Sequence, residues 1–240
     1  MRGEGTRLRA KTASISLLRG VMRSLALSLV LALSAVTLSA QDWRGQLKMV
    51  DKDLRSEHYA HARKWSIKLI NSMCDHLGTG LDSMYTLATT VAYRAMAEKG
   101  LGRDAEADWY WHTALAMYPK LAKNDWKPYG EVGEWLSAHS DDLKPAESND
   151  ARPVAIKKSD PKCPLGAIAG GYYQPVTISA IIDADGSARI PTLVSSTAAP
   201  TLIYAALEAL KEWQFQPASI DGTAVPMKYE VTVDFQPPRP

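Results

Sequence analysis

The stretch from Gln174 to Phe235 constrains the fold most, because its apolar residues switch between a period of two and a helical period. Val176, Ile178, Ala180 and Ile182 alternate with Thr177, Ser179, Ile181 and Asp183, a half-buried strand with one lapse at Ile181. Asp185-Gly186 then supplies a tight turn. Ala188, Ile190, Thr192 and Val194 continue as a return strand, which Pro191 confines to an edge or a bulge. A helix follows, with Leu202, Ala206, Ala209 and Trp213 on one stripe and Ile203, Leu207 and Leu210 widening it. After Asp221-Gly222 comes a long alternating strand. Val225, Met227, Tyr229, Val231, Val233 and Phe235 face one way; Pro226, Lys228, Glu230, Thr232 and Asp234 face the other. The pattern predicts a small α+β unit of order strand-strand-helix-strand, with the helix on one face of the sheet.

The residues themselves say more. Ile182-Asp183-x-Asp185-Gly186 is followed by Ala205-Ala206-Leu207-x-Ala209-Leu210-x-x-Trp213, then Phe215-x-Pro217-Ala218 and Gly222. In this order they resemble the C-terminal domain of the TonB energy-transducer family. The resemblance runs from about Arg152 to Gln236, and Pro161-Lys162-Cys163-Pro164 stands where the family has a Pro-x-Tyr-Pro step. It implies a partner protein in the cell envelope, bound as an added strand at the sheet edge, with Val225–Phe235 as the acceptor.

Residues 41–139 read as all-helical. Within them Ser83 to Pro119 places Ala95, Gly102, Ala107, Trp111, Ala114 and Pro119 in the register of a tetratricopeptide repeat, which they resemble. Small alanines let two antiparallel helices approach and Trp111 fills the gap between them. Arg94 and Glu98 depart from the pattern, standing where apolar or aromatic residues belong. A preceding pair spans about 42–56 and 58–76, and Glu131 to Ala138 reads as a capping helix. Two repeats are few for an array, so these helices need the C-terminal domain or a partner to lean on. The expected organisation is thus a leader over 1–40, tetratricopeptide-like hairpins over 41–139, a linker over 140–151, a TonB-C-like domain over 152–237 and a tail over 238–240.

The leader carries Arg2, Arg7, Arg9, Lys11, Arg19 and Arg23 ahead of an uncharged apolar run from Leu25 to Ala40. Its form is that of a secretory signal, short for a membrane span; the competing reading is an uncleaved anchor through residues 25–40. Of 28 Lys+Arg and 26 Asp+Glu, the first forty residues hold six and one. The remainder has 22 against 25, so the formal +2 belongs to the leader and nothing points to nucleic acid. A periplasmic or secreted location follows, with a membrane partner only if the leader stays.

Cys74 and Cys163 are the only cysteines. In an oxidising compartment they form either a disulfide between the two halves or two separate thiols. The histidines are His58, His61, His76, His112 and His139, without HExxH or CxxC spacing, so no metal or other cofactor is expected. Asp183-Ala184-Asp185-Gly186 opens like a calcium loop but lacks the later ligands, and reads as a hairpin turn. No nucleophile elbow, P-loop or dinucleotide glycine pattern is present, so the chain is expected not to be an enzyme.

Trp109, Tyr110, Trp111 and Tyr118 form a dense aromatic group. They pack either between helices or, through Trp109 and Tyr110, along a groove that grips a peptide or glycan. Two function classes stand. One is a cell-envelope protein that binds a peptide by strand addition at Val225, Met227, Tyr229, Val231, Thr232, Val233 and Phe235. The other is a secreted helical scaffold. Energy transduction for outer-membrane transport ranks below both, because the long Pro-rich spacer of TonB proteins is missing from this chain.

Overall fold

The computed structural model describes residues 43–76, 81–139, 143–147, 151–162 and 174–235. The leader, Cys163 and the tail lie outside them. The helical part comprises α1 (43–55), α2 (Tyr59–His76), α3 (Leu81–Gly100), α4 (Asp104–Met117) and α5 (Glu131–Ala138). Two short 3-10 turns, Pro119–Lys123 and Lys127–Tyr129, connect α4 to α5. These bounds match the two expected helical pairs and the capping helix. Ala88, Ala92, Ala95, Ala107 and Ala114 are fully buried, so α3 and α4 approach closely, and Trp111 fills the space beside them at 2% exposure. The Trp111 ring meets Trp126 edge to face at 5.9 Å.

The remaining strands and helix are β1 (Val154–Lys157), β2 (Val176–Ile182), β3 (Ala188–Ser195), α6 (Pro200–Lys211), β4 (Gln214–Gln216), β5 (Ala218–Ile220), β6 (Thr223–Val225) and β7 (Met227–Val233). The main sheet has order β3-β2-β7, all antiparallel; β1 pairs β4 and β5 pairs β6 in two small ladders. Both Asp-Gly turns form where expected. Asp221 and Gly222 have φ of 50° and 76°, the double positive φ that a two-residue hairpin with right-twisted strands demands. At Gly186 the φ is 81°, and a Cβ there would sit 2.1 Å from the Phe215 carbonyl oxygen. The carboxylates of the preceding loop serve their own backbone: Ala184 N–H donates to Asp183 Oδ1 at 2.7 Å and Ser187 N–H to Asp185 Oδ1 at 2.8 Å.

Two expectations need correction. The strand expected to run unbroken from Val225 to Phe235 is two strands. Pro226 has no N–H to give a ladder, so Val225 ends β6 against β5, and Met227 begins β7 against β2. The helix α6 is also not one-sided. Ten of its residues, from Pro200 to Leu207 and Ala209 to Leu210, are buried. One side of α6 packs on β2 and β3, and α3 and α4 cover it from the other direction. The helical half therefore leans on the C-terminal domain, and α4 runs along β3.

Polar pairs cross this contact. Arg94 lies 3.7 Å above the Tyr110 ring, donates to Tyr204 Oη at 3.4 Å and stands 4.0 Å from Glu208 of α6. Lys211 pairs with Glu106 and donates to Tyr110 Oη at 3.2 Å. Glu98 is wholly buried, with Arg63 at 2.8 Å and Arg94 and Arg103 each at 3.6 Å. The two departures from the repeat pattern, Arg94 and Glu98, are thus the parts of an ion network that reaches α6. A buried glutamate is tolerated here because cations surround it.

Candidate functional site: the β7 edge

Seven consecutive residues of β2, Val176 to Ile182, pair with Val233 back to Met227 with no break in register. Such a run keeps side-chain alternation intact, and β7 shows it: Val231 and Val233 are buried, as is Phe235 just beyond, while Lys228, Glu230, Thr232 and Asp234 are exposed. Met227 and Tyr229 are half-buried, Tyr229 resting edge-on against Phe215 at 6.1 Å. On the outer face Thr232 Oγ1 lies 3.3 Å from Thr177 Oγ1 of β2. Among the described residues β7 has a hydrogen-bonded strand on its β2 side only. Alternate residues along its other side present N–H and C=O groups to whatever lies there.

The opposite edge differs. β3 carries Pro191, its pairing with β2 shifts register twice, and Ile190 sits at a φ of 50°. α4 packs along it, and Arg189 of β3 pairs with Asp108 of α4 at 3.1 Å. Proline, bulges and a covering element are the devices that blunt a sheet edge. The expected confinement of Pro191 to an edge strand holds. Val225, counted in the same strand by sequence, belongs instead to β6; the linker's Ala146 N–H donates to the Pro226 carbonyl at 2.8 Å, so that chain segment crosses the start of β7.

Trp109 and Tyr110 do not line a groove. Their exposures are 6% and 2%, and Tyr110 is sandwiched between Arg94 and Lys211, whose charged ends lie 3.7 and 4.5 Å from its ring. The packing alternative for these aromatics is the one the fold adopts. Burial pushes the Tyr110 hydroxyl far above its ordinary range, with the Glu208 carboxylate adding to the shift. Trp213 is buried at 5% exposure but lies beyond the end of α6, where its Nε1–H donates to the Ser159 carbonyl at 2.9 Å. It pins the segment preceding β2 as well as the helix end.

Cys74 carries a free thiol, and burial, helped by Asp75, raises it to about 12. It lines a cavity of about 570 Å³ together with Ile67, Arg94, Tyr204, Glu208 and Lys162. Cys163, its partner in the disulfide alternative, lies outside the described residues. His61 is bound on both ring nitrogens, by Asp53 at 2.5 Å and by Trp65 Nε1–H at 2.8 Å.

One cluster escaped the sequence reading. Asp108 and His112 stand one turn apart on α4, and His139 at the C-cap of α5 swings in to meet them. Asp108 Oδ1 lies 2.7 Å from His139 Nε2 and 3.6 Å from His112 Nε2. Burial opposes ionisation of Asp108, yet the His112 ring beside it and hydrogen bonds from His139 and Arg189 hold its carboxyl well below the usual carboxylate range. The Asp-x-x-x-His spacing was visible; the third member, from another helix, was not.

Residues 160–237, about a third of the chain, match the family described as Gram-negative bacterial TonB protein C-terminal. The match begins after β1, later than the start near Arg152 expected from the motifs, and takes in β2 to β7 with α6. No curated protein matches the chain. Among the described residues no helix is long and apolar enough to cross a membrane.

Proposed function

We propose that the protein is exported to the cell envelope and captures an extended segment of a partner protein as an added strand on β7. The observation that carries this is the contrast between the edges: β7 is regular, seven residues long and, among the described residues, paired on one side, whereas β3 is broken and covered. Backbone pairing supplies affinity in such a complex, and the half-buried Met227 and Tyr229 lend side-chain selectivity at alternate positions. Lys228, Glu230 and Asp234 guard the edge against indiscriminate pairing. The protein acts by binding, not by catalysis. A helical-groove scaffold built on Trp109 and Tyr110 loses its support because both rings are buried. Energy transduction keeps the lowest rank, since it requires a long spacer and an uncleaved anchor.

Site-specific photocrosslinking in cells tests the edge. A photoreactive residue at Glu230 or Thr232 should yield adducts with one envelope protein, and Thr232→Pro that remains folded by circular dichroism should abolish them where Thr232→Ser does not. Adducts that form equally from Tyr85, on the helical surface at 44% exposure, or that survive a folded Thr232→Pro, refute the model.

A further inference from the structure

The cluster of Asp108, His112 and His139 takes no part in strand addition, yet its arrangement is that of a ligand set. Its candidate donor atoms all lie within 4.8 Å of one another, the one such group of three among the described residues. Two ligands held tetrahedrally on zinc at about 2.0–2.1 Å sit roughly 3.4 Å apart. The observed separations of 2.7 Å and 3.6 Å from Asp108 Oδ1 to the two Nε2 atoms bracket that value, and the two rings offer donors within 4.8 Å of each other, a spread that one ion can draw together.

The surroundings orient these donors. Arg189 Nη2 holds Asp108 Oδ2 at 3.1 Å, which leaves Oδ1 as the oxygen facing both rings. A partner on the far side of a ligating carboxylate is the usual outer support of a metal site. Asp183, 3.6 Å from Arg189, offsets the guanidinium's charge. The Trp135 ring, 4.6 Å from that of His139, limits how far the imidazole can turn. The His112 and Asp108 side chains are 7% and 15% exposed and that of His139 is 20%, so the site is enclosed on the α4 side with an entry beside His139.

We propose that Asp108, His112 and His139 bind one divalent transition-metal ion, zinc in the first place, with a fourth position left to water. Two imidazoles and one carboxylate favour zinc and its neighbours over magnesium or calcium, which prefer all-oxygen sets. Binding needs the Nε2 lone pair of His139, so its 2.7 Å contact with Asp108 Oδ1 gives way to the metal. The ion joins the end of α5 to α4. Through Asp108 and Arg189 it also tightens the contact of α4 with β3, the covered edge of the sheet.

The test uses the untagged full chain, stripped with a chelator and then titrated with Zn²⁺ against a chromophoric chelator. One equivalent should bind, raise the thermal midpoint, and, with Co²⁺ instead, give the visible absorption of a four-coordinate ion. His139→Ala, at a helix end, should keep the metal-free circular dichroism of the wild type, lose the cobalt band and lower zinc affinity at least tenfold; Arg189→Ala should lower it by about tenfold. His61→Ala should change none of these. Failure of the wild type to bind one equivalent, or undiminished affinity in both His139→Ala and His112→Ala, overturns the proposal.

Discussion

Trp213→Ala measures how tightly the two halves depend on one another. The indole is 5% exposed, stacks obliquely on Phe215 at 6.1 Å, carries Lys158 Nζ 5.0 Å from its ring, and donates to Ser159 O. Truncating a buried large aromatic costs about 3–5 kcal/mol, covering lost transfer and the cavity left behind. Trp213→Phe keeps a ring but no donor, so it should cost nearer 1–2 kcal/mol, about 1 of it from the bond to Ser159. In a protein of this size each kcal/mol lowers the melting midpoint by about 2–4 °C, giving roughly 6–20 °C for the alanine variant. Far-UV circular dichroism is the right assay, because seven tryptophans obscure any single fluorescence signal. Since α3 and α4 cover α6, helix and sheet should melt together in one shifted transition. A midpoint within 2 °C of wild type (of the order of the change for a single kcal/mol), or a helical transition that stays put while the sheet melts early, refutes the packing argued here.

Three further outcomes follow from particular residues. Gly186→Ala meets both a φ of 81° and a Cβ 2.1 Å from the Phe215 carbonyl, so denaturant unfolding should show a loss above 2 kcal/mol, beyond the 1–2 kcal/mol of a left-handed residue alone. Asp185→Asn removes a carboxylate whose ionisation is favoured first by the Ser187 hydroxyl and then by its N–H, and whose folded value lies below the ordinary 3.8. A depressed acid stabilises above its unfolded value and loses that contribution as pH falls through the folded one; wild type and variant should differ at pH 7 and converge below pH 3.8 in thermal melts. Intact mass of the exported protein should lack residues 1–39 or 1–40, and a full-length membrane-bound product would contradict the export reading.

What was legible in the sequence was local. Asp185-Gly186 and Asp221-Gly222 mark turns because few residues tolerate positive φ, and the alternation from Met227 to Phe235 survives in burial. The break at Pro226 was readable in principle, since proline gives no N–H, but an alternating pattern on both sides concealed it. The burial of Thr201, Tyr204 and Ala205 on α6 was not readable, because it depends on α3 and α4, helices far earlier in the chain. For the same reason Arg94 and Glu98 looked like errors in a repeat. Tyr110 was left open between packing and a groove, and its burial between two cations decides for packing. His139 had no local partner; only the fold of α5 back onto α4 gives it one.

A sheet with one usable margin behaves as a chain terminator. Growth of strands into a ribbon or fibril requires each member to accept a neighbour and then offer a second margin of its own. Here the far margin carries Pro191 and lies against α4, so a strand that joins β7 finds no second margin on this sheet. Two copies meeting β7 to β7 would form a two-fold pair and stop there, with no site left for a third. Such a pair and a bound client compete for one set of amides. Occupancy should therefore fall as protein concentration rises, a dependence opposite to that of a cooperative array.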